Sequence, residues 1–205
     1  MLNASIEIMI SRLRQVLSQR KVTHVTGTDR VPAAVLIPVY RENGEYYIIF
    51  TRRTHQVSTH KGQISFPGGA RDPGDSSMQD TALRECEEEV GIACTAVDIL
   101  GELDDFATYV SHFVISPYIG LIPWPCEFTL SERETAEIIR VPISALLDKT
   151  CMSQGNEIVD NQLVPACFYT YNGNVIWGAT ARILKQFLEI WRLAGEKSGT
   201  QGSAG

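Results

Sequence analysis

Apolar residues at spacings of three and four mark the first element. Ile6, Met9, Ile10, Leu13 and Leu17 recur through residues 4–20 with Arg12, Arg14, Ser18 and Gln19 between them, which predicts an amphipathic helix. Its cationic face is thin, so packing on the domain or on a dimer partner is favoured over a membrane surface. The period then changes. Residues 33–41 and 46–53 are short apolar runs joined by Glu42-Asn43-Gly44-Glu45, the pattern of a β-hairpin on an Asn-Gly turn. A polar stretch, 54–63, leads into Phe66-Pro67-Gly68-Gly69, where proline and paired glycines predict a bend. In the helix expected next, Met78, Ala82, Leu83, Cys86 and Val90 form the apolar stripe, Ser76 with Gln79 offers a capping box, and Gly91 supplies the stop.

Strands are predicted at 93–102, 107–110 and 112–121, with Pro117 favouring an edge or a bulge in the last. Pro123, Pro125 and Pro142 punctuate a segment carrying Glu132, Glu134 and Glu137, read as loop or partly helical, and a short helix is expected from Ile143 to Leu147. A strand at 165–171, a turn at Asn172-Gly173-Asn174 and a helix over 177–193 close the ordered chain. The stripe of that helix is Ile183, Leu184, Phe187, Leu188 and Trp191. The expected organisation is an N-terminal helix within residues 1–25 packed on one domain of residues 26–195, then a flexible Gly/Ser-rich tail, 196–205.

Composition narrows the class. With 205 residues, 44% hydrophobic and 20% charged, the chain is globular rather than fibrous or disordered. A net charge of −6 lacks the basic balance that nucleic-acid binding requires, so no nucleic-acid partner is expected. Five cysteines without a C-x-x-C pair point to a reducing compartment. Glu7, Arg12 and Arg14 interrupt any secretory signal, and no apolar run reaches the roughly 18 residues of a membrane span. A cytoplasmic protein, monomeric or homodimeric, with no membrane partner is expected.

Glu85, Glu88 and Glu89 stand at i, i+3 and i+4, which brings all three carboxylates to one side of the second helix. Like charges so placed repel, whereas an oxygen-rich cluster is what a hard divalent cation binds. Together with Gly69, the run Arg84-Glu85-Cys86-Glu87-Glu88-Glu89-Val90-Gly91-Ile92 resembles the Nudix box, G-x5-E-x7-R-E-U-x-E-E-x-G-U with U apolar, and its second half matches at every specified position. The first half departs: Ser76 occupies the place of the first Glu, Asp75 is the nearest carboxylate, and Gly69 lies fifteen residues before Arg84 instead of fourteen.

A second set of motifs narrows the resemblance. Thr51-Arg52-Arg53, His60-Lys61-Gly62, Phe66-Pro67-Gly68-Gly69, Asp72 and Asp75 before the box look like the coenzyme A pyrophosphatase branch of the Nudix hydrolases, which shares the longer loop. Glu134-Thr135-Ala136-Glu137 with Val141-Pro142-Ile143, and Ile176-Trp177-Gly178-Ala179-Thr180-Ala181, resemble its later motifs. Thr54 and Ser58 depart from it, standing where Ser or Ala and where Arg or Leu are expected.

The resemblance implies an α/β fold, the Nudix α/β/α sandwich with a mixed β-sheet and a catalytic loop-helix-loop. It implies hydrolysis of a nucleotide diphosphate with Mg²⁺ or Mn²⁺, coenzyme A or a derivative being the expected small-molecule substrate. ADP-ribose, dinucleotides and nucleoside triphosphates remain alternatives, as does a nucleotide-binding regulatory module with little turnover. Glu85, Glu88 and Glu89 are the expected metal ligands and Arg84 orients them, while Glu134 and Glu137 are the candidates for a general base from the later loop, Glu134 the one assigned to catalysis. Arg52, Arg53, His60, Lys61, Gly68 and Gly69 are the expected substrate-binding residues. His24, His55 and His112 lack ligand-spaced partners, and Trp124 and Trp177 are candidates either for stacking a base or for packing.

Overall fold

A computed structural model describes residues 2–54, 62–108, 111–159 and 162–196. In chain order the elements are α1 (Leu2–Ser18), β1 (Val31–Glu42), β2 (Glu45–Arg53), β3 (Ile64–Ser65), β4 (Gly68–Ala70), α2 (Met78–Val90), β5 (Asp98–Glu102), β6 (Phe106–Ala107) and β7 (Phe113–Leu121). They continue with β8 (Thr135–Pro142), α3 (Ile143–Leu147), β9 (Met152–Val159), β10 (Gln162–Tyr171), β11 (Asn174–Ile176) and α4 (Gly178–Glu196). The main sheet runs β3-β2-β1-β7-β5, with β4 also on β1, β6 on β7 and β8 on β2. It is mixed, because β1 and β7 are parallel while the other pairs are antiparallel. A second sheet has the order β11-β10-β9.

Alternation along β1 and β2 explains the layers. Ala34, Leu36, Tyr40 and Ile49 share one core with Ala82, Cys86 and Val90 of α2. Their neighbours Ile37, Val39, Ile48 and Phe50 share the other with Leu13 and Leu17 of α1 and Leu184, Phe187 and Leu188 of α4. A strand with both faces apolar is covered by helices on both sides, giving the α/β/α arrangement of the Nudix fold.

Several expectations need correction. A 3₁₀ turn, Cys94–Ala96, precedes β5, and of the strand read at 107–110 only Ala107 belongs to β6, which ends before Thr108, while 109–110 lie outside the described residues. Pro117 lies inside the sheet, in register with Val35 of β1. The side its missing N–H would face carries the break between β5 and β6, where Leu103 donates to the Pro117 carbonyl at 2.9 Å. The segment read as loop or partly helical contains β8, so Glu137 is a strand residue opposite Arg52. Strand β9 is an element that the sequence pattern does not predict, and β10 starts three residues before the expected 165.

Candidate active site

Helix α2 is fixed at both ends. Its N-cap is Ser77, whose Oγ accepts from the Asp80 N–H at 3.1 Å, so the capping box expected at Ser76 sits one residue too early. At the other end Gly91 is left-handed (φ 79°) and donates to the Glu87 carbonyl at 2.9 Å. The 129–131 segment then supplies donors to two further terminal carbonyls: Thr129 N–H to Val90 and Ser131 N–H to Glu89, both at 3.1 Å. Glu87 accepts from the Cys94 N–H at 2.9 Å and so belongs to this terminus rather than to the carboxylate cluster.

With Cys86 and Val90 against the sheet, Glu85, Glu88 and Glu89 take three different environments. Glu88 is exposed and Glu85 is half-buried, while Glu89 is only 3% exposed and its Oε2 is buried without a hydrogen-bond partner. Burial pushes the Glu89 carboxyl up to about 8, against the Arg53 guanidinium, whose Nη1 is 3.8 Å away; the charges of Glu85 and Glu134 push it further up. Burial also raises the Glu85 carboxyl, opposed chiefly by Arg84.

Arg84 is the hub. It donates from Nε and Nη2 to the two oxygens of Asp75 at 2.9 and 3.0 Å, from Nη1 to Glu85 and Glu88 at 2.9 and 3.0 Å, and from Nη2 to the Ala70 carbonyl at 3.2 Å. Asp75 is buried and also accepts from Thr81 Oγ1 at 2.8 Å and the Asp72 N–H at 2.9 Å. Those bonds, the Arg84 one foremost, hold its carboxyl well below the usual carboxylate range. The carboxylate that stands in for the missing box glutamate thus fixes Arg84 from behind and ties the 70–75 loop to α2.

As they stand, the carboxylates are held by arginines, and among the described residues no three His, Cys, Asp or Glu side chains converge on one point. The donor set nevertheless fits a hard divalent cation: it is all oxygen, shares one side of a helix, and includes the partnerless Oε2 of Glu89. Strand β4 carries this cluster to the edge of a cleft. A Cβ on Gly68 (φ 157°) would stand 2.3 Å from the Ala34 carbonyl, so that approach requires glycine, while one on Gly69 would stand 2.5 Å from Glu85 Oε2 and displace that carboxylate.

Gly68, Gly69 and Arg53 also line a cleft of about 630 Å³ between the main sheet on one side and β9 and the start of α4 on the other. None of the three α2 glutamates lines it. Arg182 Nη2 bonds Glu157 Oε1 at 2.8 Å across its wall, with the guanidinium 5.6 Å over the Phe106 ring. Sequence reasoning missed Arg182, Glu157 and Phe106, because no spacing signal connects three elements that meet only in the fold.

The other candidates fall in different places. Arg52 is not among the cleft residues: its Nε bonds Glu137 at 2.8 Å, its Nη1 the Gly62 carbonyl at 3.4 Å, and its Nη2 Asn174, so it ties β2 to β8 and β11. Glu134 lies in the turn before β8, half-buried, and its charge acts on both Glu85 and Glu89. His60 and Lys61, with His55 and Ser58, lie outside the described residues. Trp124 stacks on Tyr40 at 4.1 Å and donates to Glu42, a packing role, whereas Trp177 is 40% exposed at the cleft.

The NUDIX domain family model matches residues 29–161 of the chain. This chain belongs to the Nudix hydrolases. This Nudix hydrolase is 35% identical over 157 residues to NudL of Photorhabdus laumondii subsp. laumondii, described as an uncharacterized Nudix hydrolase, covering 77% of this chain and 83% of that one. It is 36% identical over 158 residues to NudL of Yersinia enterocolitica, covering 77% and 80%. The MutT/nudix family protein of Enterococcus faecalis shares its fold, with a TM-score of 0.57 at 12% identity over 88% of this chain and 68% of that one. The family uses divalent cations to hydrolyse diphosphates. Among the described residues no helix is long and apolar enough to cross a membrane.

Proposed function

We propose that this Nudix hydrolase cleaves the diphosphate of coenzyme A or its derivatives with Mg²⁺ or Mn²⁺. The observation that carries the reaction is the meeting of the α2 carboxylates, Glu89 with its partnerless oxygen among them, with Gly68, Gly69 and Arg53 at one edge of the cleft. The substrate rests on the motifs flanking the box, which resemble the coenzyme A pyrophosphatase branch.

Glu85, Glu88 and Glu89 are the residues that would hold the cation. A cation held there would offset the charge of the diphosphate and make water a better nucleophile. Arg84, fixed by Asp75, keeps Glu85 and Glu88 side by side. Arg53 and the β4 main chain contact the phosphates, and Glu134 accepts the proton as water attacks one phosphorus. The bond from that phosphorus to the bridging oxygen breaks, and coenzyme A plus water leaves as 3′,5′-ADP and 4′-phosphopantetheine. Product analysis tests this on a panel of coenzyme A, ADP-ribose, a dinucleotide and a nucleoside triphosphate with each metal added; coenzyme A is expected to be turned over best. Ser76 in place of the first box glutamate favours a second reading, a nucleotide-binding module, which binding without turnover across the panel would establish.

A further inference from the structure

The cleft outside the carboxylate cluster has a chemistry of its own. We propose that it receives the neutral, amide-bearing arm of the diphosphate substrate and that the nucleotide half lies outside it; this rests on the coenzyme A reading above.

The argument is one of charge. The 3′,5′-ADP half of coenzyme A carries a phosphomonoester, which needs a cation not already neutralised. Among the described residues the charged groups lining the cleft are Arg53, which faces Glu89 at its edge, and Arg182 and Glu157, which pair at 2.8 Å on the far wall. A phosphomonoester on that wall would meet the Glu157 carboxylate as well as the guanidinium, at a site where both side chains are largely buried and screening is weak. The rest of the lining is mainly apolar, including Phe106, Phe113, Ile115 and Ile158, with the hydroxyl of Thr180 among them, while that of Thr108 is engaged by Phe113 and Ser111. Such a surface suits a chain of methylenes, methyl groups and amides, whose N–H and C=O groups find an acceptor in Glu157 and donors in Arg182 and the Thr180 hydroxyl. At about 630 Å³ the cleft is of the size that encloses a ligand of this class. Ile158 lines it yet stays 73% exposed, and Trp177 40%, so both offer apolar surface that the arm would cover.

Product inhibition of coenzyme A hydrolysis by the metal-loaded enzyme separates the two halves. Ile158→Ser and Trp177→Ala should each raise the inhibition constant of 4′-phosphopantetheine about tenfold and leave that of 3′,5′-ADP within about twofold. Ile158 is exposed enough that its replacement leaves folding intact, which a thermal melt checks. The reverse pattern, equal shifts, no shift, or no inhibition of the wild type by 4′-phosphopantetheine overturns the assignment of the cleft alone. A wild type that turns over other diphosphates but not coenzyme A overturns the coenzyme A reading and this inference with it.

Discussion

Two neighbouring glutamates on α2, one buried and one exposed, should separate activity from stability. Replacing Glu89 by Gln removes a carboxylate whose burial already disfavours its charge, so the metal-free protein should melt no lower than wild type while kcat falls by several orders of magnitude. Glu88→Gln should lower kcat comparably, with little change in melting because the side chain is exposed. A melting temperature that drops together with kcat would make these residues structural. Asp75 differs, for its work is done through Arg84. Its carboxyl is depressed in the folded state, so its contribution to stability is complete above the unfolded value near 3.8 and is lost as pH falls below that toward the folded value. The urea midpoint of Asp75→Asn should therefore lie below wild type at pH 7 by a margin that shrinks as the pH is lowered beneath 4; a constant margin would show that the Arg84 contact is not the source.

Helix α2 shows how far an element can be read before it is seen. Its apolar stripe, its carboxylate side and its Gly91 stop were legible because all three are local, while its cap was misplaced by one residue because Ser76 and Ser77 offer the same hydroxyl. Ser77→Ala should cost about 1 kcal/mol in chemical denaturation and Ser76→Ala close to nothing; the opposite order would return the cap to Ser76. Strand β8 carried a usable signal, since buried Ile139 and Val141 flank exposed Arg140, but the glutamates and prolines around it masked the period. Strand β9 carried none. Its middle residues, Ser153–Asn156, are small or polar and exposed, and what makes β9 a strand is the ladder to β10, whose pairing runs from Val159↔Gln162 to Met152↔Tyr169. The cleft inherits this difficulty: its Arg53 and glycine edge was visible in motifs, whereas its Arg182–Glu157 wall exists only once β9 and α4 have packed.

At the scale of the whole molecule, Arg52 and Arg53 leave adjacent positions on β2 for different tasks. Arg52 joins β2 to Glu137 of β8 and Asn174 of β11, linking the main sheet to the second one, so Arg52→Ala should lower the melting temperature and weaken all diphosphate substrates alike. Arg53 stands where the carboxylate cluster meets the cleft, beside Glu89 and the glycines of β4. At that junction it can reach the diphosphate that every candidate substrate shares, and the 3′-phosphate of coenzyme A lies on the half assigned outside the cleft. Arg53→Ala should therefore reduce kcat/KM on coenzyme A and on 3′-dephospho-coenzyme A by the same factor, measured side by side with saturating metal. Lys61, the remaining cation of the basic group, is then the expected reader of the 3′-phosphate, and Lys61→Ala should reduce kcat/KM on coenzyme A by the larger factor. A variant of Arg53 that spares 3′-dephospho-coenzyme A would place the 3′-phosphate at the cleft edge and reverse the orientation of the substrate across the molecule.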